Sequence, residues 1–357
     1  MYTKGEALKL FKELSILQKN EDVKLLDYDE AMKIVFLQIE KATSKIHDNL
    51  LSKIKNVKNL DKRTIYVGSE QKFPYGCKSC LLGNGLGAIR KTNKCNLECK
   101  FCYYYGELDK QPAIVGDVWE IGGTLFYEQD IDLLLTIYDK PSGIAYVYLE
   151  PLVEIEKYYP VIKKFNDAGI YQHLYTNGVL ATEENLKSLG DAGLDEIRFN
   201  LGATNCSDKV IHNIEIAKKY IKSVGIETPM TPEFFNTFFE KKDKILNTNL
   251  DFINCAELHL NESNIANYFG ESLYMSRQGY VSPIWSRALT LKLMKIADDE
   301  KWNVAIHDCS NHTKFARHLN ASNKLKRPFG NSSYSSEFNE LPLDAFFAVL
   351  EDDYIDF

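Results

Sequence analysis

A chain of 357 residues with 45% apolar side chains is long enough for one large domain or two ordinary ones, and it can build a sizeable core. Its formal charge of -7 works against binding along a phosphate backbone, which needs a basic face, so nucleic acid is not expected as a partner. No run approaches the roughly eighteen apolar residues of a membrane span, and MYTKGEALKLFKELSILQKNEDVKLL lacks a signal-peptide core; a cytoplasmic chain is expected, in which eight cysteines point away from disulfides.

In chain order, residues 1–60 carry apolar positions three and four apart with charges between them, in ALKLFKELSIL and then YDEAMKIVFLQIEKATSKIHDNLLSKI, and predict a helical amino-terminal extension. Residues 61–86 hold Gly68, Pro74, Gly76, Gly83, Asn84 and Gly85, a turn-rich connector around Cys77 and Cys80. From residue 87 short β-like runs alternate with amphipathic segments. The runs are 87–92, 143–150, 169–176, 194–201, 220–228 and 251–260. Between them the sequence predicts helices in EQDIDLLLTIY, VEIEKYYPVIKKFNDA, TEENLKSLGDA, SDKVIHNIEIAKKY and TPEFFNTFFEKKDKIL, with a further helix near SRALTLKLMKIADDE and a last strand at NVAIHD. Gly169 and Gly193 directly precede strands, where a helix C-cap is expected.

Strand followed by helix, repeated, implies parallel strands and right-handed crossovers. Six units are too few for a closed eightfold barrel, so the prediction is an α/β fold, a partial (β/α)6 TIM-like barrel over 87–310 with residues 311–357 as a cover and tail. Chemistry in such folds sits at the carboxyl ends of the strands.

Directly after the first strand, KCNLECKFCYYYGE places Cys95, Cys99 and Cys102 in a C-x3-C-x2-C loop. Three thiolates suit iron and sulfide, and a [4Fe-4S] cluster held by three of them leaves one iron open to another ligand. In this spacing and position the chain resembles the radical S-adenosylmethionine (SAM) superfamily. The resemblance implies that the open iron binds SAM and that an electron from the cluster cleaves it to a 5′-deoxyadenosyl radical, which takes hydrogen from a substrate.

Further residues match the family in order. Phe101 and Tyr103 flank the last cysteine, where the resemblance implies packing on adenine. The second strand ends Tyr148-Leu149-Glu150-Pro151, which keeps the Glu-Pro of the family's GGEP-type turn and replaces both glycines; a Cβ at each position restricts the positive φ that glycine permits. Thr176-Asn177-Gly178 resembles the TNG of the pyruvate formate-lyase activating enzyme branch, and IRFNL, with Asn200, resembles a cofactor-binding strand of that branch. The segment from Cys309 to Lys314 is similar to a CS-x-x-x-K stretch in relatives of those enzymes. Glu150, Pro151, Thr176, Asn177, Asn200, Phe101 and Tyr103 are thereby implied as SAM contacts.

Other readings compete at several sites. Cys77-x2-Cys80 and Cys99-x2-Cys102 are eighteen residues apart, which also fits a zinc ribbon in a non-catalytic binding module, with Cys95 then a spectator. Cys77 and Cys80 themselves read either as ligands of a second metal (zinc, iron or an auxiliary cluster) or as buried apolar side chains. Cys206 and Cys255 read as core. His259 and His307 fall near strand ends and, with Glu262 and Cys309, are candidates for substrate contact. Residues 261–285 are long and aromatic for a βα connection and read as a lid or substrate wall in which Tyr274, Arg277 and Tyr280 are the candidates. The function expected is hydrogen abstraction from a small molecule or peptide, with a reductant such as flavodoxin or ferredoxin; the alternative is activation of a glycyl-radical enzyme.

Overall fold

Helical periodicity near the amino terminus gives α1 (Tyr28–Leu51), followed by β1 (Lys58–Asn59), β2 (Ile65–Val67) and α2 (Tyr75–Leu82). The computed structural model describes residues 28–313, except 61–63, 83–85, 111–115, 117, 122–123, 131–141 and 277–279. The rest of the predicted amino-terminal extension, nearly all of the carboxyl-terminal cover, Arg277 and most of the EQDIDLLLTIY helix therefore lie outside the described residues. Strand β3 (Leu86–Arg90) leads to the cysteine loop. A hairpin of β4 (Val118–Ile121) and β5 (Thr124–Tyr127), which the periodicity does not predict, then precedes β6 (Gly143–Tyr146).

Thereafter strand and helix alternate as the sequence predicts: α3 (Tyr159–Asp167), β7 (Gln172–Thr176), α4 (Glu183–Ala192), β8 (Glu196–Phe199), α5 (Asp208–Ala217), β9 (Ser223–Pro229), α6 (Pro232–Glu240), α7 (Lys242–Leu246) and β10 (Phe252–Ala256). The hairpin β11 (Leu273–Met275) and β12 (Val281–Pro283), helix α8 (Ile284–Asp299) and β13 (Ala305–Cys309) complete the described chain. Local chemistry sets the helix ends. Thr182, Ser207 and Thr231 accept hydrogen bonds from Asn185, Val210 and Phe234 backbone amides at 3.2, 3.3 and 3.2 Å. Gly193 closes α4 at φ +95°, a conformation that an L side chain resists.

The strands form one sheet in the order β1-β2-β13-β10-β9-β8-β7-β6-β3-β4-β5. From β3 through β6, β7, β8, β9, β10 to β13 all pairings are parallel, and antiparallel strands flank this run at both ends. Alternation along each strand divides the sheet into two faces. Leu174, Ile197, Ile226, Ile253 and Ile306 pack in one core with Phe165, Leu186, Ile214, Phe238 and Met294 of the surrounding helices. The opposite face carries His173, Tyr175, Arg198 and Glu227 and is met by α2: a Cβ on Gly76 would stand 2.4 Å from Arg198 Nη2 and 2.8 Å from His173 Nδ1. The predicted connector is thus a helix that plugs the inner face, and glycine is what lets it approach.

Two other regions gain contacts that the periodicity does not predict. Helix α1 is tied to the barrel, with His47 Nε2 3.5 Å from the Ile284 carbonyl and its ring 6.0 Å from that of Tyr274. The long segment 261–285 has structure of its own, a 3-10 turn (Ile265–Tyr268) and the β11–β12 hairpin. Backbone pairing supplies what simple periodicity hides in such short pieces.

Candidate active site

The cysteine loop leaves β3 at the end where parallel α/β sheets place their chemistry. Its entry is held from below: Lys91 N donates to Tyr158 Oη at 3.0 Å, Thr92 Oγ1 to Glu154 Oε2 at 2.6 Å, and Lys94 Nζ to Glu154 Oε1 at 3.1 Å. Burial works to raise the Glu154 carboxyl; hydrogen bonds from Lys157, Thr92 and Lys94 overcome it and hold its pKa at about 2. Within the loop Cys102 N donates to Cys99 O at 2.8 Å and Tyr104 N to Cys102 Sγ at 3.4 Å.

The three thiols share one half-buried loop and act on one another electrostatically. Burial pushes the Cys99 thiol up to about 12, and Cys102, Cys95 and Glu150 add to the effect. Cys95 is raised by burial, opposed by the Leu97 amide, and Cys102 is raised by burial against the Tyr104 amide. Three thiolates crowded in a half-buried loop need a positive centre to coexist, and this donor set fits an iron–sulfur cluster. Among the described residues no three His, Cys, Asp or Glu side chains converge on a single ion, the loop cysteines included. A cubane binds each thiolate at a different iron, so its ligands stand further apart than those of one ion.

Glu150 joins this loop to the next two strand ends. Its backbone N donates to Lys94 O at 3.1 Å, while its carboxylate accepts from Leu152 N at 3.1 Å, Thr176 Oγ1 at 2.8 Å and Asn177 N at 2.6 Å. Burial pushes its pKa up to about 7 against the hydrogen bonds from Asn177, Thr176 and Leu152. Asn177 reaches on to Asn96 in the cysteine loop at 2.7 Å. Thr176 Oγ1 accepts from Gly178 N at 2.9 Å; Gly178 has φ +79°, and a Cβ there would meet Val210 Cγ1 at 2.6 Å. Asn200 donates its backbone N to Thr176 O at 2.7 Å, and its side-chain oxygen accepts from Thr228 Oγ1 at 2.8 Å. Glu150, Thr176 and Asn177 are buried, so these predicted cofactor residues form a clip beneath the mouth.

The turn above the clip retains a glycine-type backbone without glycine. Tyr148 and Leu149 have φ +69° and +52°, a region that costs an L residue about 1–2 kcal/mol. Such strain persists only where surrounding contacts over-determine the backbone, and it concentrates at functional sites. Pro151 starts a 3-10 turn at Pro151–Lys157 whose N-cap is Glu150.

Across the mouth, Tyr103 lies 6.4 Å from the His259 ring, which stacks on Tyr280 at 4.4 Å with an interplanar angle of 12°. Tyr103 leaves part of its side chain exposed, yet desolvation of its hydroxyl, then Tyr280, Cys309 and Tyr148, raise its pKa. Behind His259 stands a buried network. Asn311 Nδ2 donates to Tyr274 Oη at 3.2 Å and Ser282 Oγ at 3.1 Å, which leaves Oδ1 to accept from His259 Nε2. Tyr274 Oη donates to Glu257, which also accepts from Asn311 N at 2.6 Å. Burial raises the Glu257 carboxyl, while Arg287, the Asn311 amide and Tyr274 oppose it.

These contacts sort the substrate candidates. His259, Tyr280 and Cys309 gather near Tyr103, whereas Tyr274 is buried behind His259. His307 sits one layer deeper, with Nδ1 2.5 Å from Asn254 Oδ1 and its ring 5.1 Å from Phe73 of the plug. Glu262 is exposed. Phe101 is half-buried in the cysteine loop. Cys77 is buried on α2 with Sγ 3.7 Å from Arg198 Nη1, and Cys80 lies one turn further on. Glu257, Asn264 and Asn311 escaped sequence reasoning. Asn264 had a local signal in the three-residue repeat of NESNIAN, and Asn311 lay within the CS-x-x-x-K segment without being singled out.

Residues 89–240 match the Radical SAM superfamily model. A protein of Methanocaldococcus jannaschii with the provisional name glycyl-radical enzyme activating enzyme is 32% identical over 203 residues, 54% of this chain and 52% of that protein. The PqqA peptide cyclase of Bradyrhizobium diazoefficiens is 31% identical over 110 residues, 30% of this chain and 26% of its own. The solved structure of methylornithine synthase overlays on 87% of this chain and 94% of its own with a TM-score of 0.43 and 10% identity. The chain spans about half the length of the first curated relatives it matches.

Proposed function

We propose, from the premise that residues 89–240 belong to the radical SAM superfamily, that the chain is an enzyme that abstracts hydrogen from a small molecule or a peptide. When bound, a [4Fe-4S] cluster and SAM supply an electron and a 5′-deoxyadenosyl radical for that abstraction. Cys95, Cys99 and Cys102 would hold the cluster. Phe101, Tyr103, Pro151, Thr176, Asn177 and Asn200 would shape the SAM site, and Glu150 would fix their relative positions from beneath. His259, Tyr280 and Cys309 would face the substrate, and Tyr274 would act on it only through His259. The observation that carries this reading is the union of the cysteine loop with two strand ends through Glu150, at 3.1 Å to Lys94 O and 2.6 Å to Asn177 N.

The Cys77–Cys80 pair is best read as part of the plug, because Cys77 is buried with Sγ 3.7 Å from Arg198 Nη1 and, among the described residues, no third His, Cys, Asp or Glu joins the pair around one ion. A low-potential electron donor such as flavodoxin or ferredoxin would serve the cluster, and a cytoplasmic setting would keep the cysteines reduced. Among the described residues no helix is long and apolar enough to cross a membrane. Activation of a glycyl-radical enzyme is the second reading, favoured by the provisional name of the Methanocaldococcus relative.

Anaerobic reconstitution with iron and sulfide, followed by reductant and SAM, tests the activity. Release of 5′-deoxyadenosine that vanishes in Cys95→Ala is the expected result. A colourless protein that holds only zinc and is indifferent to Cys95→Ala would sink it.

A further inference from the structure

The stretch Asn261-Glu262-Ser263-Asn264-Ile265-Ala266-Asn267 repeats asparagine every third residue as it enters the 3-10 turn at Ile265–Tyr268. With three residues per turn, side chains at that spacing align on one edge. Here the edge faces the cysteine loop. Asn267 Nδ2 donates to Lys100 O at 2.9 Å, Asn264 Nδ2 to Phe101 O at 3.1 Å, and Asn261 Nδ2 to Tyr103 O at 3.1 Å. The carbonyls they engage bracket Cys102, the last of the loop cysteines.

Asn264 also ties the loop to the substrate wall. Its Nδ2 donates to the His259 carbonyl at 3.1 Å and its Oδ1 accepts from Asn261 N at 2.9 Å, with the side chain fully buried. His259 in turn stacks on Tyr280. The loop cysteines are more than 150 residues away in sequence from these asparagines, at |i−j| of 158 and 167 for the outer two bonds.

We propose that Asn261, Asn264 and Asn267 are positioning residues that clip the cysteine loop to the His259–Tyr280 wall, so that cluster loop and substrate wall hold one register. The effect on cluster and cofactor rests on the radical SAM reading; the clip itself does not. An amide suits this task because its NH2 group donates while its oxygen is left to order the turn, whereas a carboxylate only accepts and would repel the loop carbonyls.

The test is amide hydrogen exchange of the iron-free full chain. Cys102, Tyr105 and Glu107 amides are protected by bonds to Cys99, Cys102 and Tyr104 at 2.8, 3.1 and 2.9 Å. In the double variant Asn261→Ala/Asn267→Ala, which spares the buried Asn264, their exchange should rise by about 10-fold, the scale of losing one or two modest hydrogen bonds. Exchange in β8 should stay unchanged. Asn267→Asp should speed loop exchange as well, and Asn267→Gln should restore part of the protection. Unchanged loop exchange in the double variant overturns the clip.

The second readout is the electron paramagnetic resonance spectrum of the reduced, reconstituted protein on adding SAM. A broadened or split SAM-bound signal in the double variant, with weaker SAM binding, is expected. Faster exchange with an unaltered spectrum and unaltered SAM affinity overturns the positioning role. If the wild-type protein forms no cluster and no 5′-deoxyadenosine, the radical SAM reading and the cofactor role fall, and the exchange result still decides the clip.

Discussion

The two sides of the mouth are built differently. On one side Glu150, Thr176 and Asn177 bind one another and the cysteine loop through groups at the ends of adjacent strands β6 and β7. On the other, His259 depends on Asn311 and Tyr274, at sequence separations of 52 and 37 in the bonds that link them. The first side uses short motifs whose backbone and side chain act together, so it leaves a recognisable string. The second assembles solitary residues, each of which looks ordinary in its own neighbourhood.

Breaking the cluster loop should have the largest effect. Cys95→Ala, Cys99→Ala or Cys102→Ala is expected to abolish bound iron and 5′-deoxyadenosine release together, read by iron analysis and chromatography, while urea unfolding of the iron-free proteins stays close to wild type. A variant that kept full cluster content would contradict the ligand assignment.

On the wall side, Asn311→Leu removes the acceptor of His259 Nε2 and the donor to Tyr274 and Ser282 in a buried site. The loss should be about 4 kcal/mol, seen as a lower urea midpoint, because buried polar partners are left unsatisfied. A change below about 1 kcal/mol would show that the network carries little of the wall's stability.

The Glu150–Thr176–Asn177 clip makes a signed prediction with pH. Glu150 has a folded pKa of about 7 against an ordinary 4.5, so the folded protein holds the extra proton between these values. Its contribution to stability is therefore fully present below about pH 4.5 and is lost as pH rises through about 7, by about 3 kcal/mol in total. In the iron-free protein, Glu150→Gln should flatten this part of the stability profile from pH 4 to 8; an unchanged slope would remove Glu150 as its source.

The smallest effect concerns the turn that joins the clip to the mouth. Leu149→Gly should stabilise the protein by about 1 kcal/mol, as relief of the positive φ outweighs the entropy of glycine. Destabilisation in calorimetry would mean that Leu149 packing matters more than its backbone strain.

Much of the clip was legible for a physical reason. Thr176-Asn177-Gly178 needs glycine because of its φ and the nearby Val210, and Glu150-Pro151 caps its own 3-10 turn, so local geometry writes these residues into adjacent positions. The strand–helix alternation was legible too, since helices that cover one face of the sheet show apolar positions at helical spacing and capping residues at their ends. Tyr148 and Leu149 obscured the turn, because the expectation that positive φ requires glycine failed where the surrounding contacts supplied the constraint.

The identity of the loop cysteines, their spacing and the order of the strand-end motifs belong to the sequence alone, because covalent neighbours determine which groups a single turn can present. That α2 enters the barrel as a plug, that Tyr274 stands behind His259, and that three asparagines reach the carbonyls around Cys102 were decided only by the tertiary structure. Those contacts join segments separated by tens to more than a hundred residues or select which of two faces is buried, and local propensity carries no information about either.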